Sequence, residues 1–333
     1  MHIYKGEDMN TPKVNTVTGQ ISPDDLGITL MHEHIVFGYP GWYGDHTCAP
    51  DNRKDSLKIG LKVMEDIKAR GVKTFVDATP NDTGRDPLLL REISEKSGVN
   101  IVCATGYYYE DMGAPAYFKS RRGSGSAENE IHEMFMREIT EGIEDTGIRA
   151  GVIKLASSKD NITDYEKMFF KAAAKAQKET GIPIITHTQN GTMGPQQAQL
   201  LIDEGANPGQ IMIGHMTDNT NIKYHAEVLS KGVYDGFDRM GIQGMRGFPT
   251  DQEKCAVILG LIGIGYCDKI ILAHDTVAKW LGRPQGPMHP MMKDWTPTHV
   301  LQNIIPFLKK AGITEEQVHT IMVDNPRRLF TGR

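Results

Sequence analysis

Short apolar, β-branched runs alternate with longer stretches of helical period along almost the whole of this 333-residue chain, and no other feature restricts its fold as much. The strand candidates are ITLMHEH (28–34), VKTFVDAT (72–79), NIVCATGYY (100–108) and AGVIKLAS (150–157). IPIITHT (182–188), IMIGHM (211–216), VYDGFDRMG (233–241) and KIILAHD (269–275) follow. Between them lie amphipathic stretches: in SLKIGLKVMEDIKARG, Leu57, Leu61, Met64 and Ile67 share one face, and several such stretches end at a glycine, a common helix C-cap. Eight strands, each followed by a helical segment, predict an α/β fold of the (β/α)8 TIM-barrel type. A doubly wound sheet usually has fewer strands and a glycine-rich phosphate loop after the first. Here the first strand ends in HEH and no GxGxxG follows.

Nothing divides the chain, so residues 14–333 are expected to form one barrel domain behind an N-terminal extension, 1–13. That extension is expected to be disordered, with Met9 as a second start. VNTVTGQIS reads as a β-hairpin turning at Thr18 and Gly19, before the first barrel strand, and TEEQVHTIMVDNPRRLF as an extra helix after the eighth unit. The net charge of −5 carries no nucleic-acid footprint, and no apolar run is long enough to span a membrane. Four scattered cysteines without a CxxC pair, and an N-terminus without an apolar signal core, point to reduced thiols and a cytoplasmic location.

In such barrels the chemistry sits at the C-terminal ends of the strands. The first strand ends with His32 and His34, the fourth with Lys154, the fifth with His187, the sixth with His215 and the eighth with Asp275. The i, i+2 spacing turns both imidazoles of HEH to one face of a strand. Each histidine alone is more simply a hydrogen-bonded structural residue. Lys154, amid the apolar GVIKLASS, is more simply a lysine whose stem carries its amine to solvent. Four histidines and an aspartate at equivalent ends of one barrel argue otherwise. They exceed what one tetrahedral zinc needs and suit two adjacent divalent ions. Two such cations require an anionic bridge, and a lysine amine that has taken up carbon dioxide is an anionic carbamate with two oxygens.

The motifs MHEH, GIRAGVIKLASS, PIITHT, IGHMTDNTN, GFDRMG and AHDT, in this order, resemble the phosphotriesterase family of the amidohydrolase superfamily, in its lactonase branch. The resemblance runs from about residue 28 to the C-terminus. It implies a barrel with a binuclear centre, usually zinc, with iron, cobalt or manganese as alternatives. It assigns His32, His34 and Asp275 to the more buried metal and His187 and His215 to the more exposed one. Lys154 becomes the N6-carboxylated lysine that, with a hydroxide, bridges them. It also implies a homodimer. The expected reaction is hydrolysis of a small-molecule lactone or carboxylic ester by that hydroxide, Asp275 taking its proton, with promiscuous phosphotriesterase activity alongside.

Two departures from the organophosphate-specialised pattern bear on the substrate. The residue after the seventh-strand aspartate is Arg239 where those members carry a histidine, which puts a relay from Asp275 to Asp218 in doubt. Arg239 either meets a polar part of the substrate, orients Asp218, or forms a structural ion pair. In TGYYYED, Tyr108, with Tyr107 one residue away, matches the tyrosine that lactonases aim at their metals; packing is the alternative for all three rings. SRRGSGSAEN (120–129) reads as a mobile loop in which Arg121 and Arg122 are solvated rather than anion-binding, and VAKWLGRPQGPMHPMMKDW as an apolar pocket wall or dimer rim. The alternative activities are a true organophosphate triester hydrolase and, remotely, a non-catalytic barrel acting as a binding protein.

Overall fold

A computed structural model describes residues 12–48, 51–243, 247–283 and 292–332. A hairpin of β1 (Val14–Thr16) and β2 (Gly19–Ile21) precedes the barrel. Thr16 pairs with Gly19, so the turn is Val17-Thr18, one residue earlier than expected. The Thr16 hydroxyl, bonded to the Gly19 carbonyl, holds that tight turn closed. The expected extension lies outside the described residues up to residue 11.

The barrel strands are β3 (Ile28–Phe37), β4 (Val72–Asp77), β5 (Asn100–Gly106), β6 (Val152–Ser157), β7 (Ile184–Thr188), β8 (Ile211–Ile213), β9 (Tyr234–Phe237) and β10 (Ile270–Leu272). All eight expected strands are present, parallel and in sequence order, in a (β/α)8 barrel. The last three are shorter than the sequence suggested, because the chain turns away once its polar residue is reached. The seam has an addition. After β10 the chain kinks at Asp275 and runs on as β11 (Val277–Trp280), which pairs in parallel with β3. Backbone bonds from Asp275 to His32 and from His34 to Thr276, at 2.9 and 2.8 Å, fasten the kink to the first strand.

Helices α1 (Arg53–Lys68), α2 (Pro87–Ser97), α3 (Ala116–Arg122), α4 (Ala127–Thr140), α5 (Asp164–Thr180), α6 (Gly194–Asp203), α7 (Ile222–Leu229) and α8 (Asp251–Gly263) lie between the strands. Their ends obey local rules: Thr163 and Thr250 form capping boxes with Glu166 and Glu253, and Gly98 and Gly181 close α2 and α5 in the left-handed region. The expected mobile loop 120–129 is instead the junction of α3 and α4, and Arg121 is tied to Glu130. The C-terminal segment is helical as expected, with α9 (Ile305–Lys310), α10 (Glu315–His319) and α11 (Asn325–Thr331) and a π-type turn before the first and last of them. No helix among the described residues is long and apolar enough to cross a membrane.

Two apolar layers explain how the site is positioned. The larger lies between strands and helices; the smaller fills the barrel with Met31, Val76, Val102, Val152, Ile185, Met212, Tyr234 and Ile271. Side chains alternate along a strand, so residues two steps beyond this layer also face the axis. Lys154 follows Val152 in this way, and His187 follows Ile185. On β3 the alternation breaks: the register against β4 shifts between Leu30 and Glu33. That irregularity lets the adjacent Met31 and His32 both face inward, with His34 two residues on. Gly106 makes room beside the fourth strand, since a Cβ there would lie 1.8 Å from the Lys154 carbonyl oxygen.

Candidate metal centre

The six candidate ligands meet at the C-terminal mouth of the barrel, in a cleft of about 220 Å³. His32, His34, Lys154, His187 and His215 are buried there, each no more than 4% exposed. Ligand atoms of His32, His215 and Asp275 lie within 4.8 Å of one another. Asp275 Oδ1 is 3.0 Å from His34 Nε2 and 3.5 Å from His32 Nε2, and its Oδ2 is 3.7 Å from His215 Nε2. Lys154 Nζ lies 2.8 Å from His32 Nε2. Asp275 and His215 both adopt the left-handed backbone region, which Asp and His tolerate better than most residues. The fold holds two of these groups in strained conformations, as active sites commonly do.

The imidazoles are oriented from behind. Asp238, on the turn after β9, accepts from His32 Nδ1 at 2.6 Å on one oxygen and faces His215 Nδ1 at 3.1 Å on the other. His34 Nδ1 meets the Thr79 hydroxyl at 2.8 Å. All three rings therefore turn Nε2 towards the cleft. His187 is bound at Nε2 by Gln189, 2.7 Å away, which leaves Nδ1 as its ligand atom. Such outer partners fix tautomer and ring angle in metal sites. Gly214 permits the arrangement, because a Cβ there would stand 2.8 Å from Asp238 Oδ2.

Electrostatics suit cation binding. Burial, reinforced by the positive charge of Lys154 at His32 and of Arg239 and Lys154 at His187 and His215, holds all three well below the ordinary histidine range, so they present neutral lone pairs. Burial pulls Lys154 down to about 8, against the attraction of Asp275 and Asp238, so a useful fraction of its amine is unprotonated near neutral pH. For Asp275 burial works upward, but His32, the hydrogen bond from His34 and Arg239 outweigh it and keep the carboxylate ionised. Neutral imidazoles and a carboxylate form a donor set fit to hold divalent ions, and the Lys154 amine stands beside them.

Arg239 stands between two carboxylates, with Nε 2.9 Å from Asp275 Oδ2 and Nη1 2.6 Å from Asp218 Oδ2. It forms the expected ion pair, and it also lines the cleft. Asp218 reaches Asp275 only through a guanidinium, which holds its protons too tightly to relay them. Tyr108 lines the cleft, its ring centroid 5.1 Å from that of His187. Tyr107 turns away to Phe118 and Phe169. Asp82 accepts the Tyr108 backbone N–H at 3.1 Å and sets where that residue sits. The wall opposite the ligands is apolar, with Phe37, Ile242, Val277, Met292 and Trp295 in one cluster. Residues 284–291 of the expected wall lie outside the described residues.

Sequence reasoning did not single out Asp238, Gln189, Thr79 or Tyr109, whose ring stacks on His187 at 5.0 Å. Only Asp238 carried a usable signal, being a carboxylate two residues beyond the inward-facing Gly236.

Residues 12–330 match the model of the phosphotriesterase family. An aryldialkylphosphatase of Saccharolobus solfataricus is 35% identical, with 93% of this chain and 97% of that protein covered. The structure of an organophosphorus hydrolase from Deinococcus radiodurans superposes with a TM-score of 0.93 at 53% identity, covering 97% of this chain and all of that one. A mutant of a Deinococcus radiodurans phosphotriesterase-like lactonase matches with the same TM-score at 54% identity, over 95% of this chain and 99% of that one.

Proposed function

Because the chain belongs to the phosphotriesterase family, whose members are metal-dependent hydrolases of small molecules, we propose that it opens lactones or carboxylic esters, with weaker action on phosphotriesters. His32, His34 and Asp275 would hold one divalent ion, His187 and His215 a second, and a carboxylated Lys154 would join them. Such a pair would supply a water ionised near neutral pH and would polarise the carbonyl or phosphoryl oxygen of the substrate.

The chain's own residues do the rest. Asp275, kept ionised by Arg239, takes the proton of the attacking water. Tyr108 stands over the His187 side of the cleft, where its hydroxyl can donate to the ring or leaving oxygen of a lactone. Burial holds that hydroxyl protonated, so it acts as a donor and not as a base. The apolar wall excludes water and receives the hydrocarbon part of the substrate.

The observation that carries the lactone reading is Arg239 bound to Asp275 and Asp218, in place of a histidine able to relay protons to the latter. Steady-state kinetics on a lactone panel beside an aryl dialkyl phosphate tests it; phosphotriester turnover far above every lactone would overturn it. The similarity to an aryldialkylphosphatase favours the second reading, an organophosphate triester hydrolase, and the same experiment decides.

A further inference from the structure

Glu33 is among the buried charges that the mechanism above leaves unused. Glu33 lies between the two histidines of HEH, on the opposite side of β3 from both, and is fully buried. Its Oε1 accepts the backbone N–H of His274 at 2.9 Å and the Nδ1–H of the His274 ring at 2.5 Å. Its Oε2 accepts the backbone N–H of Thr276 at 2.9 Å and the Thr276 hydroxyl. The two carboxylate oxygens therefore grip the residues immediately before and after Asp275.

The donors identify the ring's tautomer. Val300 N–H can only donate, and it points at His274 Nε2 at 2.9 Å, so Nε2 is the bare nitrogen and Nδ1 carries the proton given to Glu33. Four donors thus converge on one buried carboxylate. Hydrogen bonds to an ionised acceptor are roughly twice as strong as neutral ones. This grip sits where the backbone most needs it: Asp275 has φ +56°, a conformation that persists only when its surroundings over-determine it. The grip also extends outward, because the His274 carbonyl accepts Trp295 Nε1–H at 2.8 Å, and Trp295 lines the apolar wall.

We propose that Glu33 is a positioning residue: it locks the 274–276 kink onto the strand that bears His32 and His34, so that the first and last ligands of the chain converge on one metal. Neighbouring ligands drawn from opposite ends of the chain require such a cross-brace, and the backbone bonds between Asp275 and His32 and between His34 and Thr276 mark its line. The inference rests on the metal-centre reading but not on which ester is cleaved.

The test compares the zinc-loaded full-length protein with Thr276→Val and Thr276→Ser, titrated with a chelator. Hydrogen exchange of the 274 and 276 amides is followed in the metal-free protein. The valine variant removes one of the four donors at nearly constant shape. It should release zinc about 10-fold more readily, the lower end of the effect of outer partners on metal affinity. It should also expose the 276 amide to exchange, and serine should restore both. Glu33→Gln should be worse on each measure; if it does not fold, the threonine pair still decides. Wild-type zinc affinity and wild-type protection at residues 274 and 276 in the folded valine variant would overturn the brace. Zinc affinity and amide exchange do not depend on the substrate, so a wild-type enzyme that opened no lactone would retire the lactonase reading without touching this one.

Discussion

Arg239 and Asp275 face one another across the mouth of the barrel, guanidinium Nε to carboxylate Oδ2, at 2.9 Å. Both side chains are largely buried, so the pair is screened little by water. Arg239→Met would leave Asp275 without its closest cation, and its pKa would rise. A proton acceptor must be ionised, so the acidic limb of the kcat/KM profile should move to higher pH. At neutral pH the loss should be about 10-fold or more, which pH–rate profiles of the two proteins will read.

Asp238→Asn tests the anchoring of two rings at once. The amide can accept at only one of its two atoms, so either His32 or His215 loses its Nδ1 partner. Zinc affinity should fall 10- to 100-fold while the fold survives, measured by chelator competition beside thermal unfolding.

Lys154→Ala removes both the amine and any carbamate built on it. The variant should retain metal at least 100-fold less well, beyond what outer partners cause. A short carboxylic acid added to the buffer should restore part of the activity. An active, metal-replete variant without added acid would remove the bridge from the scheme. Intact mass of the wild type should show one added carbon dioxide.

Tyr108→Phe keeps the ring against His187 and deletes only its hydroxyl. Lactone kcat/KM should fall about 5-fold, the worth of one ordinary hydrogen bond. Phosphotriester turnover should hardly change. Equal losses on both substrates would mean that the hydroxyl serves the site and not the lactone.

The metal-free protein should lose stability on acidification. His32, His187 and His215 are held below their ordinary range in the fold, whereas in the unfolded chain they titrate near 6.5. Below that pH the unfolded state binds protons that the folded state refuses, so stability falls as pH falls. The slope is at most about 1.4 kcal/mol per pH unit for each histidine. Asp275, whose folded pKa is depressed, contributes stability above its unfolded value that is lost on acidification in the same direction. Urea midpoints of chelator-treated protein between pH 7 and 5 will check the trend.

The eight barrel strands and their polar ends were legible in the sequence, since a parallel strand covered on both faces writes itself as an apolar run and its catalytic end as the first break in that run. His32, His34, Lys154, His187, His215 and Asp275 all announce themselves in this way. Asp238 and Glu33 do not. Each sits beside a more conspicuous residue, and its importance lies in partners about two hundred residues away. The loop 120–129 misled for another reason: its glycines and serines read as flexible, but Arg121 and Glu130 tie the flanking helices together over that turn. The turn of the hairpin shifted by a residue because Gly19, at positive φ and bonded by the Thr16 hydroxyl, closes the turn from the second strand instead of standing at its tip.

The strand from Val277 to Trp280 has a consequence for how this scaffold can diversify. The ring is sealed by the same few residues that begin the segment after the eighth strand, so that segment is anchored at its root by ladder bonds to β3. Insertions or deletions before Trp280 would unzip the seam and displace Asp275 with it. Changes of length in this segment are therefore confined to positions beyond Trp280, while side chains before it can be exchanged one for one. Recombination libraries that vary loop length only after that residue should yield folded, metal-binding chains, and those that cut earlier should yield few.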